Sequence, residues 1–432
     1  MQTLPHCGKA VRFRRNLRVV PHRFSFRKIQ RHTHWSKRSR EKSPLRFLLL
    51  RQMIDTETPD RKVQLTAFGQ SRNRVMNADL YFEEYSGIAA IEKSILQGGY
   101  IMCTGLSFAN GNSHYFGRNL DLEIDYPVDV VITPRNHPFR FRNADGLKTH
   151  NAIIGMGLVQ NDYPLYFEGV NDKGLGMAGL AFWTSCHYFP VQEGKLNLAS
   201  FEILQYILGK CSTVEEAKEE FKNINITNVG FSSAMAPSPL HWLISDANSS
   251  IVVEQTEAHG LMVYDDPFNV LTNEPEFPFH EKNLSFYCNV SNHLENFSET
   301  RFAPNFPDFI KMGAGMGTSG LPGGLDSMSR FVRVAFTRLN SVCSNETEEC
   351  SIQQFFHILS SVYQTNGCDQ VKPGEYEVTQ YSCGANLETG RFYYTTYSNQ
   401  SITAVDLHKE DLDSDRIVSY PVKRDLRVEL QN

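Results

Sequence analysis

The sequence predicts an α+β domain over residues 103–432, built from antiparallel sheets with helices in separate blocks. Three observations carry this. Period-2 segments come in pairs joined by short turn signals, as β-hairpins do. Segments with helical spacing are grouped between those pairs and do not alternate with single strands, which argues against a βαβ doubly wound sheet. The third is a break in charge. Residues 1–51 hold 15 lysines and arginines against one acidic residue, whereas the rest of the chain holds 28 against 47.

The elements follow in order. "CTGLSF" and "HYFGRN" flank "ANGNS", whose Asn110-Gly111 is a turn signal, so residues 103–119 read as a hairpin. "DVVITP" and "NAIIGMGL" read as strands. "LNLASFEILQYILGKC", residues 196–211, has helical spacing, and "STVE" at 212–215 opens a second helix with a capping box. "HWLISDANSSIVVEQT" reads as strand, turn, strand; "IQQFFHILSSVYQ", residues 352–364, as helix; and "GRFYYTTYSNQSITAVDL" as a further hairpin. No internal repeat or low-complexity linker follows residue 103.

Composition narrows the class. The 432-residue chain has no run of 18 apolar residues, so no transmembrane helix is expected. "LRFLLL" is too short for the apolar core of a secretory signal, and Arg46 interrupts it. The nine cysteines are odd in number, widely spaced and without a CxxC pair. That argues against a disulfide framework and a zinc site, and favours free thiols in a reducing, cytoplasmic setting. The sequons at Asn225 and Asn345 then read as chance matches.

The basic segment has three readings: an arm for nucleic acid or an anionic surface, a targeting peptide, or upstream sequence translated from a misplaced start. The last is preferred for residues 1–102, because Met102 stands directly before the first strand. Gln97-Gly98-Gly99 can also be encoded by a ribosome-binding string at about the usual distance from a start codon. On this reading the functional chain begins at Cys103, once Met102 is removed.

A cysteine at that position brings its own base. Its α-amine titrates near 8 and can take the thiol proton directly or through a water. With residues 1–102 attached, that nitrogen is an amide and has no such role. Arg118 and Asp121, in "FGRNLD", sit at the far side of the hairpin. A fixed guanidinium near a thiol favours thiolate, and a carboxylate can hold an α-ammonium. Taken alone, the two read rather as a surface ion pair on a strand end.

The pattern as a whole is more specific. "MCTGLSF", "YFGRNLDLEIDY" and "ITPRN" resemble the start of the choloylglycine hydrolase family, which contains bile salt hydrolases and penicillin V acylases. The similarity runs on through "NDKGLGMAGLAF", "HWLISD", "VLTNEPEF", "GLPGGLDSMSRFVRVAF" and "YYTTY", and covers about residues 103–425. It looks most like the bile salt hydrolases of Gram-positive gut bacteria. The resemblance implies an N-terminal-nucleophile fold, an αββα sandwich of two antiparallel sheets between helical layers. It implies hydrolysis of the amide of a glycine- or taurine-conjugated bile acid, without metal or organic cofactor, by a homotetramer whose partner is a small molecule and neither nucleic acid nor membrane.

Roles follow residue by residue from the resemblance. Cys103 matches the nucleophile, Arg118 an active-site arginine and Asp121 the carboxylate that holds the α-amine. Asn273, in "LTNEP", matches the side chain that donates to the oxyanion, and Arg330, in "SRF", the second arginine. The backbone N–H of Ala181 matches the other oxyanion donor. Here the chain departs from the family: after "MAGL", bile salt hydrolases usually carry Asn and penicillin V acylases often Tyr. Leu120, Phe182 and Trp183 are assigned to an apolar substrate pocket, with Tyr188 and Phe189 nearby; core packing explains the aromatic residues equally well. His241, His280 and His357 are read as packing or surface residues, and the Gly-rich stretch 313–324 as a loop near the site. The alternatives are penicillin V acylase, an acylase of N-acyl homoserine lactones, a silent unprocessed homologue, and a nucleic-acid-binding protein with an inactive hydrolase domain.

Overall fold

The computed structural model describes residues 102–293 and 313–432. The expectations for the basic extension lie outside the described residues, except that Met102 opens the first strand. β1 (Met102–Asn110) and β2 (Ser113–Leu122) form the predicted hairpin, in register from Met102↔Asp121 to Asn110↔Ser113. Its two-residue turn needs Gly111, which takes φ 58°.

Two antiparallel sheets stack. β3 (Asp129–Thr133), β4 (Ile153–Gln160), β5 (Tyr163–Asn171), β6 (Gly176–Ala181), β9 (Leu240–Ser245), β10 (Ser250–Thr256), β11 (Gly260–Asp265) and β18 (Val418–Pro421) form an eight-stranded sheet. The hairpin joins β12 (Val270–Leu271), β15 (Val378–Asn386), β16 (Arg391–Thr396) and β17 (Thr403–Asp406) in a six-stranded one, ordered β12-β1-β2-β15-β16-β17. α1 (Ile203–Lys210) and α2 (Val214–Phe221) lie on the outer face of the larger sheet. α4 (Ser327–Asn340) and α5 (Glu348–Ser360) lie on the smaller one, with α3 (Phe277–Leu284) beside α4. This is the predicted αββα sandwich.

Strand alternation explains the layering. β10 is buried along its whole length, yet its side chains serve two cores. Val252 joins the cluster between the sheets, while Ile251 and Val253 join the cluster under α1 and α2. β9 does the same, with Leu243 inward and Trp242 and Ile244 outward. A sheet covered on both faces must be apolar on both. The sheets also approach closely: a Cβ on Gly176 would lie 2.5 Å from the Phe116 ring. On the other face, a Cβ on Gly384 would lie 2.7 Å from Phe355 of α5.

The structure corrects three boundaries. Residues 196–199 are not helical: β7 (Leu196–Ala199) pairs in parallel with β8 (Ile224–Thr227) before the chain turns into α1. The cap of α2 is Thr213, one residue later than expected, and Glu216 reaches back to the Ser212 N–H at 2.7 Å. The predicted helix at 352–364 begins at Glu348 behind a Thr347 cap and ends at Ser360. In each case long-range pairing or cap geometry sets the end, which periodicity reads poorly.

Candidate active site

Cys103 is the second residue of β1 and faces the seam between the sheets, 1 % exposed. Pairing in the first hairpin places Arg118 and Asp121 on the neighbouring strand. Both are fully buried, so each needs partners. Arg118 crosses to the other sheet, donating to the Gly179 carbonyl at 2.5 Å, and its Nε lies 3.7 Å from the Glu168 carboxylate. Asp121 accepts from the Thr379 hydroxyl at 2.6 Å through one oxygen; the other, equally buried, has no partner. Burial pushes this carboxyl up to about 6, against the opposing pull of Arg330, Thr379 and Arg118.

Two distant segments complete the centre. The loop after β12 brings Asn273, whose Oδ1 accepts from the Cys103 N–H at 2.8 Å while its Nδ2 donates to the Ala181 carbonyl at 2.9 Å. The first turn of α4 brings Arg330, fully buried. It donates to the Cys103 carbonyl at 2.6 Å, the Thr104 hydroxyl at 2.7 Å and Asn273 Oδ1 at 2.7 Å. Asp326 caps that helix by accepting from Ser329 N, and Ser327 Oγ accepts from Asn273 N, so helix start and loop are locked together. From below, His280 Nε2 bonds the Asn273 carbonyl and His241 links Glu254 to the Thr272 carbonyl. Burial lowers His280 to about 4, which keeps it a neutral donor.

Ala181, at the end of β6, lines the same pocket as Cys103, and its N–H favours the thiolate. Burial pushes the thiol up; Arg118 opposes this, Asp121 adds to it, and the Ala181 N–H and Arg330 pull it back down. The thiol opens onto a pocket with mostly apolar walls, which include Leu120, Trp183, Leu204, Phe201, Phe231 and Met235. A buried thiol with an N–H donor and a guanidinium at hand can attack a carbonyl and hold the resulting negative charge.

The sequence model of the linear amide C-N hydrolases, choloylglycine hydrolase family, matches residues 103–420. The chain belongs to the choloylglycine hydrolase family. Among curated relatives, the bile salt hydrolase/transferase of Lactiplantibacillus plantarum is 44 % identical over 324 residues, covering 74 % of this chain and 97 % of the relative. That of Clostridium perfringens is 38 % identical, covering 76 % and 99 %. Among solved structures, an arginine-to-leucine variant of conjugated bile acid hydrolase from C. perfringens superposes with a TM-score of 0.70. It is 37 % identical and covers 76 % of this chain and 100 % of its own. Penicillin V acylase from Agrobacterium tumefaciens shares the fold, with a TM-score of 0.57 at 19 % identity; the match covers 73 % of this chain and 90 % of that one.

In this family member, the structure brings Cys103, Arg118, Asp121, Ala181, Asn273 and Arg330 to one place, as the motifs imply. It modifies several expected contacts. One Asn273 Nδ2 hydrogen is engaged by Ala181, so a single hydrogen remains for an oxyanion. The Cys103 nitrogen bonds Asn273, not Asp121. Arg330 acts on the thiol from the backbone side, donating to the Cys103 carbonyl. Leu120 and Trp183 line the pocket, but Phe182 does not. Its fully buried ring stacks on His241 at 4.4 Å, and the chain turns directly after it, at Trp183. Tyr188 is not a pocket wall either; its hydroxyl accepts from the Leu240 N–H.

Residue-by-residue reading missed Glu168, the buried neighbour of Arg118. Its carboxyl also accepts from the Tyr381 hydroxyl at 2.9 Å and the Cys383 thiol at 3.3 Å. The only hint in sequence is one acidic residue within the apolar "LYFEGV". Burial raises Glu168 to about 7, opposed by Arg118 and those donors. An unfolded glutamate releases its proton near 4.3. The folded state therefore binds this proton more tightly, and its contribution to stability is present at low pH and lost as pH rises through about 7. Glu168→Gln, which cannot titrate, should lose less stability between pH 5.5 and 8.5 than the wild type. Urea midpoints at the two pH values check this; an unchanged difference would exclude Glu168 as the titrating group.

Proposed function

We propose that this chain hydrolyses the amide of glycine- or taurine-conjugated bile acids, releasing the bile acid and the amino acid, with Cys103 as an N-terminal nucleophile. The observation that carries the reading is the Cys103 thiol, set beneath an apolar pocket against the Ala181 N–H. The names of the relatives supply the substrate class, and a steroid suits such walls.

The catalytic chain begins at Cys103, which is also where the family match begins. Its α-amine accepts the thiol proton, and the thiolate attacks the substrate carbonyl. The Ala181 N–H and the remaining Asn273 Nδ2 hydrogen stabilise the oxyanion. The α-ammonium then protonates the leaving nitrogen, the C–N bond breaks and a thioester remains. Water, deprotonated by the same amine, releases the acid. In β1–β2 pairing Asp121 stands opposite Met102, and its unpartnered oxygen is the one that would hold the amine freed by loss of Met102. Asn273 Oδ1 already accepts from that nitrogen. Arg118 favours the thiolate, and Arg330 fixes the backbone that carries it. Leu120 and Trp183 contact the acyl part. A cytoplasmic homotetramer is the state the family resemblance supports.

The test combines N-terminal sequencing with turnover of glycocholate, taurocholate and penicillin V. A folded chain that begins at Cys103 and leaves both bile salts intact overturns the substrate; preference for penicillin V moves it within the family. The role of Asp121 has its own signature. Asp121 must be ionised to hold the ammonium, and that cation lowers its pKa further. The acid limb of kcat/KM should therefore have a midpoint no higher than about 6, with activity falling as pH drops through it. Asp121→Asn should remove the limb and lower activity at every pH. An unchanged limb in the variant would assign it to another group.

A further inference from the structure

Outside the active site the fold brings two thiols together. Cys343 lies two residues beyond Ser341, the C-cap of α4, and Cys350 lies in the first turn of α5. The intervening loop is pinned, because Asn110 in the first hairpin donates to the Asn345 carbonyl at 2.9 Å and to Ser351 Oγ at 2.8 Å. The loop wraps around the Cys350 sulfur. Ser344 Oγ lies 3.2 Å from it, and Ser344 directly follows Cys343 in the chain, so the loop carries Cys343 to the same side of the helix start.

These donors give the two thiols different characters. The Ser344 hydroxyl and the Asn345 and Ser344 N–H groups pull the Cys350 thiol down. Burial, then the neighbouring Cys350, pushes Cys343 up. Both are partly exposed, and Cys343 also packs against the main hydrophobic cluster. A partly exposed thiol at a helix start, pulled down by nearby donors and close in the chain to a second thiol, has the features of a reactive cysteine with a resolving partner. Elsewhere burial pushes Cys186 up to about 11 and Cys211 up to about 12, which makes them poor nucleophiles.

We propose that Cys350 is a hydroperoxide-sensitive thiol and Cys343 its resolving partner, so that the α4–α5 loop closes reversibly into a Cys343–Cys350 disulfide. The Cys350 thiolate attacks one peroxide oxygen. The S–O bond forms, the O–O bond breaks, and the departing hydroxide takes a proton to become water. The sulfur is oxidised by two electrons and the peroxide is reduced by two. Cys343, giving up its proton, then attacks the Cys350 sulfur; the S–S bond forms, the S–O bond breaks and a second water leaves. A dithiol reductant reverses the bridge.

The experiment treats the full chain with a small excess of hydrogen peroxide and follows each cysteine by non-reducing peptide mapping. Cys288 and Cys368, both exposed, serve as internal references. Cys350 should be oxidised about tenfold faster than either and recovered bridged to Cys343. Cys343→Ser should abolish the bridge and leave a Cys350 sulfenic acid that dimedone traps. Cys350→Ser should abolish both products while the circular dichroism spectrum stays that of the wild type. Oxidation of Cys350 no faster than that of Cys288, or a wild-type product not bridged to Cys343, overturns the proposal.

Discussion

A chain in which Met102 stays joined to Cys103 should hydrolyse no bile salt, whereas the same chain beginning at Cys103 should. The two differ at one nitrogen. In the joined chain it is an amide that donates to Asn273 Oδ1 and cannot accept a proton. In the freed chain it is an amine that titrates near 8 and can take the thiol proton. The two buried histidines do not stand in for it: His280 and His241 are committed to backbone carbonyls and Glu254. In the freed chain, Cys103→Ala should lower kcat by at least roughly 10⁴-fold, as loss of a nucleophile does in other hydrolases. Release of taurine from taurocholate measures both effects. Full activity of a chain shown by intact mass to retain Met102 would end the N-terminal-nucleophile mechanism, though not the family assignment.

Arg330→Ala should destabilise the fold by about 3–5 kcal/mol, the range for removing one partner from a buried charged network. The guanidinium is fully buried and satisfies the Cys103 and Leu325 carbonyls, Thr104 Oγ1 and Asn273 Oδ1. Its loss strands acceptors on β1, on the loop before α4 and on the Asn273 loop at once. Arg330→Lys should recover only part of the loss, because an ammonium cannot span that fork of acceptors. Urea unfolding checks both variants. A loss below about 1 kcal/mol for the alanine variant would mean that water replaces the guanidinium.

The first hairpin was legible because its pairing is local. A two-residue turn fixes the register, and the register puts Arg118 and Asp121 on the strand beside Cys103. Asn273 and Arg330 were found only through resemblance to the family. They lie 170 and 227 residues from Cys103, and no periodicity reports a contact at that distance. The helix at 196–211 was half right, since its first residues pair with β8 and propensity does not register a distant strand.

The sequence by itself determined the α+β class, because alternation and turns are written in neighbouring positions, and its motifs, by resemblance, gave the family, its αββα layering and candidate site residues. Only the tertiary structure decided which atom meets which: Phe182 in the core and Trp183 in the pocket, Glu168 behind Arg118, Asn273 shared among Cys103, Ala181 and Arg330. The physical reason is burial. A charge or amide removed from water must find its partners inside the fold, and those partners come from segments far apart in the chain.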